Sequence, residues 1–399
     1  LANGRDDRTR LTPAPLPQAP LDHAQRLACL RLIRSDNVGP VTFRALINHF
    51  GGAEPALAAL PELSRRGGRA NIRICPSDQA EAELEAAGAI DARPLFTIEP
   101  GYPAALAAIA APPPLLYVKG NPGLLARPMV AIVGARNGSA AGQKLARHFA
   151  ARLGAAGFVI ASGMARGIDG AAHEAALEHG TVAVLAGGID NVYPPEHAAL
   201  QDAIAEKGCL LSENPPGFVP RAQDFPRRNR IISGIALGVL IVEAARRSGT
   251  LITARMALEQ GREVFAVPGH PLDPRAEGTN RLLKRNEASM VTEPEDILQA
   301  LEPMLREPPA WAGLGAVETA GPGPSRAPER EEIRELATAD RDRLLAALGP
   351  APVDIDELAR ATGLGTRAIQ VALIELALAG RIERHGHQLV SLAPGAGPP

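Results

Sequence analysis

Between Met129 and Val267, short apolar runs alternate with stretches whose apolar positions return every three to four residues. The runs Met129–Gly134, Phe158–Ser162, Thr181–Ala186, Cys209–Ser212, Leu237–Val242 and Glu263–Val267 are nearly continuous. That is the pattern of strands covered on both faces. Segments Ala140–Ala156, Ile168–His179, Pro195–Glu206, Arg227–Ser233, Thr250–Gln260 and Thr279–Asn286 carry the helical period. Strand and helix in alternation predict an α/β domain, a Rossmann-like doubly wound parallel sheet.

The flanks read differently. Leu27, Leu30 and Ile33 form one helical stripe leading to Asn37-Val38-Gly39-Pro40. Amphipathic runs Val41–Phe50 and Ala53–Leu60 follow, separated by Gly51-Gly52. This resembles a SAM-like or helix-hairpin-helix domain that meets phosphates through loop amides; a bundle that only packs fits the same pattern. Asp78–Gly88 predicts a helix, and 94–120 irregular chain with a short strand. Near the other end, Arg341–Leu348, Ile355–Thr362 and Thr366–Ala379 predict three helices with Gly363 at a turn, and Arg381–Val390 a β-hairpin. Together these predict a winged-helix domain. Its second helix-turn-helix helix carries Arg367 as its one cation and also Glu375, so DNA reading and protein docking both stay open. The predicted boundaries are a disordered lead-in over 1–20, the helical domain 21–90, the sheet domain 91–300, a Pro/Gly/Ala-rich linker 301–335 and the winged helix 336–393.

Composition adds limits. Lys+Arg 42 against Asp+Glu 44 gives a formal charge of −2, so a polyanion partner needs a local basic patch. Acidic segments at Glu81–Glu85 and Glu329–Glu335 offset one. Cys29, Cys75 and Cys209 share no metal spacing and read as isolated thiols. With no signal-peptide pattern and no uncharged run of about 18 residues, the expectation is a soluble, cytoplasmic protein.

Candidate chemistry sits where predicted strands end. Gly134-Ala135-Arg136-Asn137-Gly138-Ser139 is a strand-turn-helix junction, but its spacing is not G-x-G-x-x-G. The second strand ends in Ala161-Ser162-Gly163, without an acid for a ribose hydroxyl. A dinucleotide reading therefore fails, and Arg136 favours a phosphate. Ser162 to His173 supplies a second glycine loop, with Gly163 and Gly167 for close backbone approach and Arg166 for charge. Asp169 and His173, one helical turn apart, fit a metal pair, an acid/base pair, or a cap with a satisfied neighbour. Gly187-Gly188 to Tyr193-Pro194 forms a third loop on the same edge. The sharpest signal is Arg221 to Arg230, where Arg221, Arg227, Arg228 and Arg230 surround Phe225 and Asn229. Arginines neutralise phosphates and an aromatic ring stacks a base. Glu243 precedes Arg247-Ser248-Gly249-Thr250, a helix start with free amides; the glutamate reads as a general base or as part of a local hydrogen-bond network. No Walker, zincin or nucleophile-elbow motif occurs in a usable context.

Ile132-Val-Gly-Ala-Arg136, Ser162–Asp169, Gly187–Pro194, Phe225-Pro-Arg-Arg-Asn-Arg-Ile-Ile-Ser233, Glu243–Thr250, Val267-Pro-Gly269 and Gly278-Thr-Asn280 occur in order. In this they resemble the DNA-processing protein A (DprA/Smf) family across roughly residues 95–300. The resemblance implies an extended Rossmann-like domain without catalytic activity, cofactor or metal. It also implies single-stranded DNA binding in natural transformation, homodimerisation, and delivery of the strand to the recombinase RecA. In the family's groove it places Gly134, Arg136, Phe225, Arg228 and Arg230, so reversing Arg228 and Arg230 to glutamate should weaken strand binding. Some relatives carry a lysine where this chain has Ala222, and Arg221 is expected to substitute. Nucleoside-monophosphate phosphoribohydrolases share the glycine loops but carry a Gly-Gly pair that Arg247-Ser-Gly-Thr250 lacks. A scaffold acting only through its winged helix is the third class.

Overall fold

The computed structural model describes residues 20–306, 338–386 and 388–394. The expected lead-in over 1–19 and the linker from 307 lie outside the described residues. The linker was expected to start at 301, but residues 301–306 are the last turns of a helix.

Two compact units form, and the first contains both flanks. Its helices are α1 (His23–Arg34), α2 (Pro40–Phe50) and α3 (Ala53–Arg66). Asp22 caps α1 in a reciprocal capping box with Gln25. Pro40 opens α2, where its missing N–H costs nothing, and Gly51 closes it at φ 74. The winged-helix part of this unit has α13 (Thr338–Ala346), β10 (Val353–Asp354), α14 (Ile355–Thr362), α15 (Thr366–Leu378), β11 (Ile382–His385) and β12 (Leu389–Leu392). Its strands pair in the order β10-β12-β11, and Gly363 takes the left-handed turn at φ 68. Helix, turn, helix and hairpin thus fall where the sequence places them.

The second unit holds the large sheet. Its elements are α4 (Ser77–Gly88), β1 (Arg93–Phe96), α5 (Ala104–Ala107), β2 (Leu115–Gly120), β3 (Met129–Val133), α6 (Ala140–Ala155), β4 (Val159–Ser162), α7 (Ile168–Ala176), β5 (Thr181–Val184), α8 (Ala198–Lys207), β6 (Cys209–Ser212), α9 (Asp224–Gly234), β7 (Gly238–Ile241), α10 (Thr250–Glu259), β8 (Glu263–Ala266), α11 (Glu277–Lys284), β9 (Ser289–Met290) and α12 (Pro294–Arg306). All six strands read from apolar runs are present. The sheet order is β1-β2-β6-β5-β4-β3-β7-β8-β9. From β3 the chain winds one way through β4, β5 and β6, then the other way through β7, β8 and β9. A switch point therefore lies between β3 and β7.

Alternation along β3 explains the double cover. Met129, Ala131 and Val133 enter one core, shared with Ile231 and Ile232 of α9 and Ala254 and Ala257 of α10. Val130 and Ile132 enter the other, shared with Phe149 and Leu153 of α6 and Ile168 of α7.

One expectation needs correction. The sheet is mixed, because β2 pairs antiparallel with β6 and β1 antiparallel with β2. These strands were read as mostly irregular chain because they are short and bracketed by prolines, which lack a ladder donor. In addition, α4 packs on β1 and so clusters with the sheet unit. The Tyr117 hydroxyl of β2 hydrogen-bonds the Glu83 carboxylate of α4, a tie sequence periodicity does not reveal.

Candidate nucleic-acid interface

A cleft of about 890 Å³ opens over the carboxyl ends of β3 and β7, at the switch point where open α/β sheets hold ligands. Its floor is built by close backbone approach. A Cβ on Gly134 would lie 2.6 Å from Ile168 Cγ1, and one on Gly167, at φ +74, would lie 2.5 Å from the Ala135 carbonyl oxygen. Only glycine allows the first two loops to interlock this way.

The amino end of α6, which holds a pyrophosphate in dinucleotide folds, is filled by the protein itself. Glu243 Oε2 accepts from the Ser139 amide at 2.9 Å, and Oε1 accepts from the Ser139 hydroxyl at 2.6 Å. Ser139 Oγ in turn accepts from the Gly142 amide. Glu243 is thus the local network member of the two readings, spent on the β3–α6 turn. The start of α10 stays on the cleft: Ser248 Oγ accepts from the Thr250 amide, and the Thr250 hydroxyl donates to the Gly134 carbonyl. Ser248, Gly249 and Thr250 all line the cavity.

Aromatic and basic groups meet at its mouth. The Arg136 guanidinium lies 5.4 Å from the Phe225 ring centroid, and Tyr193 packs on Phe225 with centroids 5.1 Å apart. Arg136 and Tyr193 are exposed. Arg247 and Arg275 complete a basic rim, Arg275 being paired with Asp273. Tyr193 and Arg275 were not among the candidate residues. Tyr193 was legible as an exposed-loop aromatic, whereas Arg275 arrives from a distant loop without a motif.

Several expected contacts are committed to the fold. Ser162 is fully buried, its hydroxyl donating to the Ile132 carbonyl, and Gly163 lies buried behind it. Arg166 is exposed and paired with Glu196 outside the cleft lining. Arg227 and Arg230, at i and i+3 on α9, both bind Glu213, and Arg230 also donates to the Ala111 carbonyl. Arg228 is 6% exposed and donates to the carbonyls of Gly163, at 2.6 Å, and Val184. It reaches the cleft only as part of the floor beside Asn229. Arg221 is exposed, and its neighbour Ala222 lines the cavity.

Asp169 and His173 are also structural. Asp169 Oδ2 accepts from the amides of Gly163 and Ala165, bracing the loop before α7 instead of capping the helix. Burial raises its carboxyl pKa, and the nearby Arg228 charge opposes that rise. Burial also lowers Arg228 to about 10. Thr181 donates its hydroxyl to the Ile160 carbonyl, so it accepts from His173 Nδ1–H at 2.7 Å. Burial, with His197 and Arg228 nearby, lowers His173 to about 3 and keeps the ring neutral. Among the described residues no group of three His, Cys, Asp or Glu side chains is placed to hold a metal. The three cysteines are buried free thiols, and burial pushes Cys209 up to about 12.

Fold and cleft define a Rossmann-like protein that has filled its own pyrophosphate site and opened a cationic, aromatic-lined cleft beside it. The chain belongs to the DNA recombination-mediator protein A family, whose family model matches residues 93–302. A DprA-like N-terminal HHH domain matches 23–86 and a DprA winged helix domain 323–387. Protein Smf of Escherichia coli (strain K12) is 41% identical over 284 residues, 70% of this chain and 72% of that protein. DNA processing protein DprA of Bacillus subtilis (strain 168) is 44% identical over 203 residues, 50% of this chain and 68% of that one. The X-ray structure of DNA processing protein A from Streptococcus pneumoniae superposes with a TM-score of 0.54 at 35% identity, covering 65% of this chain and 86% of that one.

Proposed function

We propose that the chain binds single-stranded DNA through its phosphate backbone in the β3/β7 cleft, protects it, and loads RecA onto it during transformation or recombination. Arg136 stacked over Phe225 at the cleft mouth carries this reading. It sets a phosphate-binding cation and a base-stacking ring side by side, as a flexible single strand requires. Arg247, just before α10, supplies the next anion contact, and Tyr193 widens the stacking surface. Gly134, Ala135, Asn229, Ser248, Gly249 and Thr250 keep their proposed place in this groove. Arg228 and Arg230 hold its wall.

No catalytic step is assigned. Glu243, the base of the competing phosphoribohydrolase reading, is engaged by Ser139. The rest of the reading is cytoplasmic, without cofactor or membrane. Among the described residues no single helix is long and apolar enough to cross a bilayer. The reading includes a homodimer, and exposed Met290 on β9 with Leu258 on α10 supports the β9 edge as its contact.

The test is fluorescence anisotropy of labelled oligothymidine against an equal-length duplex over a salt series. Tight, salt-sensitive binding to the single strand is the expected result. Absence of any strand preference, with release of ribose 5-phosphate from AMP, would replace this reading by the enzyme.

A further inference from the structure

In winged-helix modules that read DNA, the second helix of the helix-turn-helix turns a polar face outward into the groove. Here α15 exposes only its first turn: every residue from Val371 to Leu378 is buried. Ile369, Ala372, Leu373, Leu376 and Ala377 fill the winged helix's own core. Val371, Ile374 and Leu378 lie outside that core at helical spacing, so a second apolar stripe runs along the other side.

That stripe has an occupant within the same compact unit, because α15 packs on α2 and α3. Two contacts fix the seam, and an ion pair inside the winged helix neutralises the acid beside it. Asn37, in the hairpin between α1 and α2, donates through Nδ2 to the Leu378 carbonyl at 2.8 Å. Gly67, just after α3, lies so close that a Cβ there would sit 2.0 Å from the Glu375 carbonyl oxygen and 2.8 Å from Ala379 Cβ. The Glu375 side chain, 3% exposed, is neutralised by Arg341 of α13.

We infer that α15 is a docking helix committed to the amino-terminal bundle of its own chain. The covered length of α15 from Val371 to Leu378 is closed to a DNA groove, so the helix does not contribute to DNA binding in the intact protein. The inference stands whatever the central cleft binds.

Gly67 is the probe. Its backbone is ordinary right-handed helix (φ −70), and the atoms nearest to a side chain there belong to Glu375 of α15 and to Ala379 just beyond it. The experiment uses the full-length chain with Gly67→Leu, and with Gly67→Ala as the milder form. Amides of α2, α3 and α15 should exchange at least about tenfold faster together, with those of the large sheet unchanged. In a second arm, Arg367→Glu at the exposed start of α15 should leave single-strand and duplex affinity within about twofold of the parent. Exchange unchanged in both Gly67 variants would overturn the docking role. A loss of about fivefold or more in duplex affinity on Arg367→Glu would show α15 on DNA and overturn its exclusion from the groove.

Discussion

The guanidinium of Arg136 and the ring of Phe225 come from loops about ninety residues apart and meet face to ring at 5.4 Å. The β3 turn delivers one and the start of α9 the other, so the pair exists only once the switch point has formed. Phe225→Ala should weaken oligothymidine binding by about 1–3 kcal/mol, the usual worth of one stacked base. Arg136→Ala should instead flatten the salt dependence, lowering the slope of log K against log salt by about 0.7 for one lost phosphate contact. Anisotropy titrations at several salt concentrations separate the two effects.

Charge at the rim and charge in the wall should behave differently. The double variant Arg136→Glu/Arg247→Glu is expected to bind single strands at least about tenfold more weakly, with stability within about 0.5 kcal/mol of the parent. Arg230→Ala leaves the nearly buried Glu213 with Arg227 alone, and Arg228→Ala strands two buried carbonyls and Asp169. Each should cost about 3 kcal/mol or more of stability, seen as a lower denaturation midpoint. If Arg230→Ala instead keeps full stability and loses binding, the arginine belongs in the groove.

That distinction marks where sequence reading stopped. The six central strands, the glycine turns and the winged helix were legible because each is written in local periodicity or in one turn. The direction of each arginine between Arg221 and Arg230 was not. Arg227 and Arg230 share one helical face, but the face is chosen by Glu213, which lies across a loop. Arg228 turns inward to carbonyls at the ends of two strands. Tyr193 was visible as a residue, but its contact with Phe225 depends on the β5 loop folding back over α9.

His173 gives a pH signature. Its pKa falls from 6.5 in the unfolded chain to about 3 in the fold, so between these values the unfolded state binds more protons. Stability from this group is present above about pH 6.5 and falls as pH drops, by up to about 1.4 kcal/mol per pH unit. Asp169, whose pKa is raised, acts in the opposite sense above its unfolded value near 3.8, losing stability as pH rises through its folded pKa. The comparison is therefore between the parent and His173→Asn, which keeps a donor toward Thr181. Urea denaturation at pH 7, 6 and 5 should give a shallower decline for the variant; equal slopes would exclude His173 as the source.

Glu243→Ala removes the acceptor for the Ser139 amide and hydroxyl together. The expected cost is about 1–3 kcal/mol, measured by denaturation, with Glu243→Gln recovering part of it. Neither variant nor the parent should release ribose 5-phosphate from AMP.

Because Glu243 supplies the anion at the amino end of α6, the fold is electrostatically complete without a nucleotide. Ligand linkage then has nothing to act on at that helix. The turn after β3 is thus held in shape by a side chain of the same domain, with no bound nucleotide needed to set it.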